Sequence, residues 1–174
     1  MVFGTMLSKK ELSQQFQQII ELHKGILFKV AKTYCRNSDD RQDLLQEIMI
    51  QVWKSLPKYK NNFAITTWLY RIALNVAISF YRKNANRQKL NIPLLEELTA
   101  IRNEESNEKQ EQLSLLNKFI SELNDLDKAL MLLYLEDKSY AEIAEIMGLS
   151  LTNVGTKLGR IREKLKLKFS QINA

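Results

Sequence analysis

Apolar residues recur at helical spacing through most of this chain, and only five glycines and two prolines stand among its 174 residues. Stripes of that period bury themselves as helices packed on helices, and so few chain breakers argue against the many turns of an all-β fold. The expected fold class is all-α. Ser8-x-x-Glu11 is a capping box that opens a first helix, with Phe16, Ile19, Ile20, Ile26, Leu27, Val30 and Ala31 along one side. That helix is expected to end near Arg36 and Asn37, and Ser38 or Asp39 to cap a second one that stops before Pro57. In the second helix Leu44, Ile48, Val52 and Leu56 form one row, and Leu45, Met49 and Trp53 form its neighbour. A polar loop with Tyr59 and Phe63 spans Pro57–Ala64. A long helix then runs from about Ile65 to about Arg87, with Trp68, Leu69, Ile72, Ala73, Val76, Ala77 and Phe80 on its apolar side.

The period fails over Asn91–Asn107, which contains Pro93 and is acidic and polar, and reads as a linker. Beyond it, Leu113, Leu116, Phe119, Ile120 and Leu123 mark a helix from near Glu108. Leu126, Ala129, Leu130, Leu133 and Tyr134 mark another over Asp125–Glu136. The expected organisation is therefore two small helical domains, 1–90 and 108–174, joined by an acidic linker over 91–107. Charge is unevenly spread along the chain. Met1–Gln88 holds 14 basic and 6 acidic residues, Lys89–Lys138 holds 6 and 11, and Ser139–Ala174 holds 6 and 3. Two basic ends flanking an acidic middle suggest two separate anion-binding modules.

The C-terminal module has the outline of a helix-turn-helix. Ser139 and Glu142 form a second capping box, Ile143, Ala144 and Met147 give the helix one apolar face, and Gly148 suits the left-handed residue that ends it. Ser150 is a natural N-cap for the next helix, where Leu151, Val154, Leu158, Ile161 and Leu165 form the inward stripe. Asn153, Thr156, Lys157 and Arg160 fall on other faces, and side chains of these types donate to phosphates or read base edges. An ordinary helical hairpin with a solvated basic face is the alternative. The caps, the turn and the basic second helix together favour DNA binding.

Other chemistries find no support. Cys35 is the one cysteine, so no internal disulfide is expected, and it lies on an apolar helical stretch. His23 is the one histidine, without partners for a metal site, and no Gly-rich phosphate loop occurs. No metal, cofactor, catalytic constellation or small-molecule substrate is expected. No apolar run reaches membrane-spanning length and no signal-peptide pattern opens the chain, so the expected location is cytoplasmic.

Asp43, Gln46 and Glu47 lie together on a polar face of the second helix, and Phe63–Lys83 sets aromatic side chains beside Arg71, Asn75, Arg82 and Lys83. Rings beside cations suit single-stranded nucleic acid, with bases stacked on the rings and phosphates held by the cations. Here DLLQEIMIQVW, FAITTWLYRIALN and LDKALMLLYLEDKSYAEIAEIMGLSLTNVGTKLGRIREKLK stand in order, and the chain resembles a bacterial RNA polymerase sigma factor of the sigma-70 family, in the extracytoplasmic-function (ECF) group. The resemblance covers about Phe16 to Lys168. It implies that Asp43, Gln46 and Glu47, with Trp53 at the edge, contact the β′ subunit of core polymerase. Asn62, Phe63, Thr67, Trp68, Arg71, Asn75, Arg82 and Lys83 would meet the −10 promoter element, with a base extruded into the loop from Lys60 to Thr66. Thr152, Asn153, Thr156, Lys157, Arg160 and Arg162 would meet the −35 element as duplex. The β subunit of polymerase and an anti-sigma factor are further implied partners, and the linker would thread toward the polymerase active-site channel.

The chain departs from the family where a Thr-Val-Lys/Arg run is usual, carrying Asn153-Val154-Gly155 instead, with Gly159 one turn later. These glycines either let the backbone approach DNA or another helix closely, or weaken the helix so that DNA affinity relies on polymerase. The second is the reading adopted. Ser79 also stands where relatives often carry an acidic residue. The rival reading of the whole is an autonomous helix-turn-helix regulator that binds an operator without polymerase.

Overall fold

The structure is a computed structural model and describes residues 8–88 and 107–172. Among the described residues seven α-helices follow one another: α1 (Lys9–Tyr34), α2 (Ser38–Ser55), α3 (Ile65–Gln88), α4 (Asn107–Ser121), α5 (Asp125–Leu135), α6 (Tyr140–Met147) and α7 (Leu151–Ile172). A single 3₁₀ turn, Leu56–Lys58, follows α2. The fold is all-α, and no strand occurs among the described residues. The expected linker lies outside the described residues apart from Asn107, where α4 begins.

Two compact units separate. The first holds the described residues as far as Phe80 together with Glu145–Gly148, and the second holds the remainder. In the first unit α1 packs on α2. Val30 and Ala31 of α1 and Leu44, Ile48 and Val52 of α2 have no solvent exposure. Phe16 meets the Trp53 ring edge-on, with centroids 5.3 Å apart. Leu56 is buried where the chain leaves α2, so Pro57 sits in a turn whose start is already anchored. Along α3, Leu69, Tyr70, Ala73, Leu74, Ala77 and Ile78 are buried. Cys35 is buried too, and burial together with the nearby Asp40 carboxylate pushes its thiol up to about 11, which keeps it protonated and unreactive.

In the second unit α5 packs on α7 and α4 on α5. Ala129, Leu130 and Leu133 of α5 and Val154 and Leu158 of α7 are fully buried. The far end of α7 returns to α4: Phe169 meets the Phe119 ring edge-on at 5.0 Å, and Lys168 pairs with Glu122. Helix boundaries follow side-chain capping. Ser8 and Glu11 bond reciprocally, at 2.7 and 3.3 Å, and Ser139 and Glu142 do the same at 2.8 and 3.2 Å. Gly148, at φ +66°, closes α6, and the Ser150 hydroxyl accepts from the Asn153 N–H to open α7.

Five expectations are corrected by the structure. The first helix stops at Tyr34, and Asn37 rather than Ser38 or Asp39 caps α2, its side chain accepting from the Asp40 N–H at 2.7 Å. Leu151 is 57% exposed and does not join the inward stripe of α7. Leu113 is 60% exposed and Leu126 42%, so both stand off the faces that pack.

The capping boxes give the fold a defined acid response. Hydrogen bonds from the Ser139 backbone, and then its side chain, hold the Glu142 carboxyl below its ordinary value, and Ser8 acts likewise on Glu11. A depressed folded-state value adds stability that is present above the carboxylate's ordinary range and is lost as pH falls through the folded value. Glu142→Gln is therefore expected to flatten the acid side of the stability curve, as followed by thermal melts over a pH series. Ser139→Ala is expected to cost about 1 kcal/mol at neutral pH.

Candidate functional site

Three surfaces carry the side chains singled out by the sequence. The first is the outer face of α2. Asp43, Gln46 and Glu47 are exposed, and Ile50 stands on the same face at 52% exposure. The three- and four-residue spacings place Ile50 one turn beyond Gln46 and Glu47 on this face, an apolar side chain at the end of the polar, acidic group. Among the described residues neither Asp43 nor Glu47 forms an ion pair within the chain. Such a face suits a partner rich in arginine, whose guanidinium bonds carboxylates in pairs, while the adjoining apolar side chain supplies desolvated contact. Sequence reasoning missed Ile50. The available signal was phase: it falls two residues from Ile48, about 200° round the helix from the buried row. Trp53 is half-buried against Phe16 of α1, so it both packs and borders the patch.

The second surface runs from the loop before α3 down that helix. Asn62 and Phe63 are exposed in the loop. The Arg71 guanidinium lies 4.9 Å from the Phe63 ring centroid, a cation–π contact that keeps a charge beside an exposed aromatic face. Trp68 is half-buried and packs 4.7 Å from the Tyr59 ring, tilted 35°. Counting about 100° per residue, Trp68, Arg71, Asn75 and Arg82 fall within roughly 60° of one another and make a row along α3. Asn75, Arg82 and Lys83 are exposed, Lys83 stands to one side of the row, and the Arg82 guanidinium pairs with the Asp125 carboxylate. Thr67 departs from the expectation. It is 6% exposed, because its spacing from Tyr70, Leu74 and Ile78 puts it on the buried face of α3. Its hydroxyl is not presented to a strand at the surface.

The third surface is α7. Thr152, Asn153, Thr156 and Arg160 are exposed and share one side, opposite the buried Val154, Leu158, Ile161 and Leu165. Lys157 is half-buried at the edge of this side. Arg162 is not part of the cluster. It lies roughly 160° round the helix from Arg160, and its guanidinium sits 5.9 Å from the Tyr134 ring centroid of α5. The helix packing that buries the inward stripe turns Arg162 toward α5.

Gly155 and Gly159 are not required by packing within the chain. A Cβ at Gly155 would meet the Tyr140 ring at 3.7 Å, an ordinary contact, and one at Gly159 would point into open space. Among the described residues no group of His, Cys, Asp or Glu could hold a metal ion, and no helix is long and apolar enough to cross a membrane.

Comparison with known proteins places these surfaces in a family. The Sigma-70 region 2 model matches residues 19–87, and the Sigma-70 region 4 model matches residues 113–165. The α2 and α3 surfaces lie in the first match and the α7 surface in the second. The RNA polymerase sigma factor SigV of Bacillus subtilis is 28% identical over 150 residues, 86% of this chain and 87% of that protein. The ECF RNA polymerase sigma-E factor of Escherichia coli is 31% identical over 142 residues, 75% of this chain and 74% of that protein. The fold is similar to the sigma factor RpoE solved with the anti-sigma factor NepR from Bartonella quintana. The TM-score is 0.70 at 21% identity, covering 90% of this chain and 98% of that one.

Since neither glycine of α7 is needed for packing, Gly155→Ala and Gly159→Ala are each expected to stabilise the helix, by up to about 1 kcal/mol. Urea denaturation followed by circular dichroism checks this.

Proposed function

The chain belongs to the ECF group of the sigma-70 family, binding core RNA polymerase and directing promoter-specific initiation, and on that basis we propose how its surfaces divide the work. Residues 1–90 form a region 2 domain that holds polymerase and opens the −10 element. Residues 108–174 form a region 4 domain for the −35 element, and 91–107 connect the two. The observation that carries the proposal is the order of the three surfaces along the chain: an acidic patch, an aromatic–cationic row, and a polar and basic helix face.

The α2 patch of Asp43, Gln46 and Glu47 contacts the β′ subunit, with Ile50 adjoining it and Trp53 at its border. Its negative charge supports a protein partner over DNA, which the same charge would repel. The row on α3 meets the −10 element. Extruding a base costs a few kcal/mol of stacking, and ring stacking in a fitted loop offsets that cost. Phe63, backed by Arg71, is the exposed ring that supports this role, together with Asn62 beside it. Trp68 borders the loop, while Asn75, Arg82 and Lys83 track the strand. Thr67 is set aside because it is buried. On α7, Thr152, Asn153, Thr156, Lys157 and Arg160 face the −35 duplex, and Arg162 serves packing against Tyr134.

Sigma factors in general are not enzymes, and nucleotide addition belongs to the polymerase. We assign the chain to the cytoplasm, where its polymerase works. An anti-sigma factor is proposed as a further partner, supported by the fold's likeness to RpoE solved with NepR.

Run-off transcription with purified core polymerase is the direct test, and addition of this chain is expected to yield promoter-dependent transcripts. Glu47→Lys reverses one charge of the patch and is expected to abolish core binding while the circular dichroism spectrum and melting midpoint stay near wild type. Ile50→Ala is expected to weaken core binding about tenfold or more, as for an apolar side chain desolvated in an interface. Core binding by Glu47→Lys at wild-type affinity would refute the contact.

A further inference from the structure

The loop that leads into α3 is fastened by contacts that the roles above leave unused. Tyr59 donates its hydroxyl proton to the Phe63 carbonyl oxygen at 2.7 Å, bridging the loop from side to side. Its ring packs 4.7 Å from the Trp68 ring, and its backbone N–H donates to the Leu56 carbonyl at 3.1 Å. Tyr59 is thus tied at three points: to the buried end of the 3₁₀ turn, to the first turns of α3, and to the far side of the loop. Between the two ends of the hydroxyl bridge, Asn61 takes the left-handed conformation, φ +55°. Asparagine tolerates that region better than most residues, yet it stays there only where the surroundings hold it. Arg71 meanwhile fixes the Phe63 ring. The Phe63 carbonyl and the Phe63 ring are therefore held by two different side chains, with Asn62 exposed between Asn61 and Phe63.

We propose that Tyr59 is a positioning residue whose hydroxyl clasps this loop in the shape that tells one extruded promoter base from another. The proposal rests on the reading of the loop as the place that receives a base from the −10 element. A base is distinguished by hydrogen bonds to its edge, and those bonds discriminate only when donors and acceptors are fixed relative to the ring on which the base stacks. An unclasped loop still stacks a base, because every base has a π-face, but it accepts the wrong ones more readily. The hydroxyl touches no DNA in this scheme. It acts through the Phe63 carbonyl.

Tyr59→Phe tests this, since it removes the hydroxyl and keeps the ring beside Trp68. The variant is assembled with core polymerase and its equilibrium binding measured on promoter fragments whose −10 element is held open by mismatches. Each position of the opened strand carries each of the four bases in turn. The expected result is that the ratio between the best and worst base at the sensitive position falls about three- to tenfold, the range that one hydrogen bond between neutral groups supports. Core affinity and the melting midpoint stay near wild type. Tyr59→Leu, which also removes the ring contact, is expected to lower the ratio further. A variant holoenzyme that discriminates as well as wild type overturns the proposal, and so does a uniform loss of affinity for all four bases. A wild-type holoenzyme with no base preference on any opened fragment overturns the base-receiving reading of the loop itself, and the clasp with it.

Discussion

The α2 surface depends on the burial of Leu44, Ile48 and Val52 against α1. These side chains have no exposure, and each contributes on the order of 2 kcal/mol by leaving water. A residue row repeating every four positions fixes the rotation of α2 about its own axis. Once that rotation is fixed, Asp43, Gln46, Glu47 and Ile50 have no orientation left but outward. The polar patch therefore needs no stabilising contacts of its own. Exposed carboxylates add little to stability wherever they stand. Their cost is small and their position is set by apolar side chains on the other side of the helix.

The same logic orders α3 and α7, with different results. On α3 the buried face is broad, running through Leu69, Tyr70, Ala73, Leu74, Ala77 and Ile78. It takes in Thr67 and leaves a narrow row for Trp68, Arg71, Asn75 and Arg82. On α7 the buried stripe is narrower, so Thr152, Asn153, Thr156 and Arg160 remain on one open side. Basic residues near both surfaces give the chain a general attraction to nucleic acid. On the proposed division of work, the rings at Phe63 and Trp68 suit the α3 surface to unpaired bases, and the helix-turn-helix outline suits the α7 surface to duplex. Two readers in one chain, each with a modest charge, fit a subunit that gains affinity by being held on a larger enzyme.

Most of the helical organisation was legible because apolar periodicity is a local property. The capping boxes at Ser8 and Ser139, the left-handed Gly148 and the inward stripe from Val154 to Leu165 all follow from residues within a few positions of one another. What was not legible was decided by neighbours distant in sequence. Leu113, Leu126 and Leu151 have the right period but stay exposed, because no facing helix covers them. Thr67 is polar by type yet buried by register, and Arg162 is basic yet turned toward the Tyr134 ring. Ile50 is apolar yet exposed, and periodicity reads such a residue as noise until the packed face of α2 is known.

The sequence by itself determined the helices, the two capping boxes, the family motifs and the separation of basic ends from an acidic middle, since each is written in local spacing and composition. The tertiary structure alone decided which side chains are available to a partner. It withdrew Thr67, set Arg162 on another side of α7 beside the Tyr134 ring, added Ile50, and fastened the Tyr59 hydroxyl to the Phe63 carbonyl. The physical reason is that exposure belongs to a pair of packed surfaces and not to a residue: a stripe states which face of a helix is apolar, but only the element packed against it sets how wide a face is hidden.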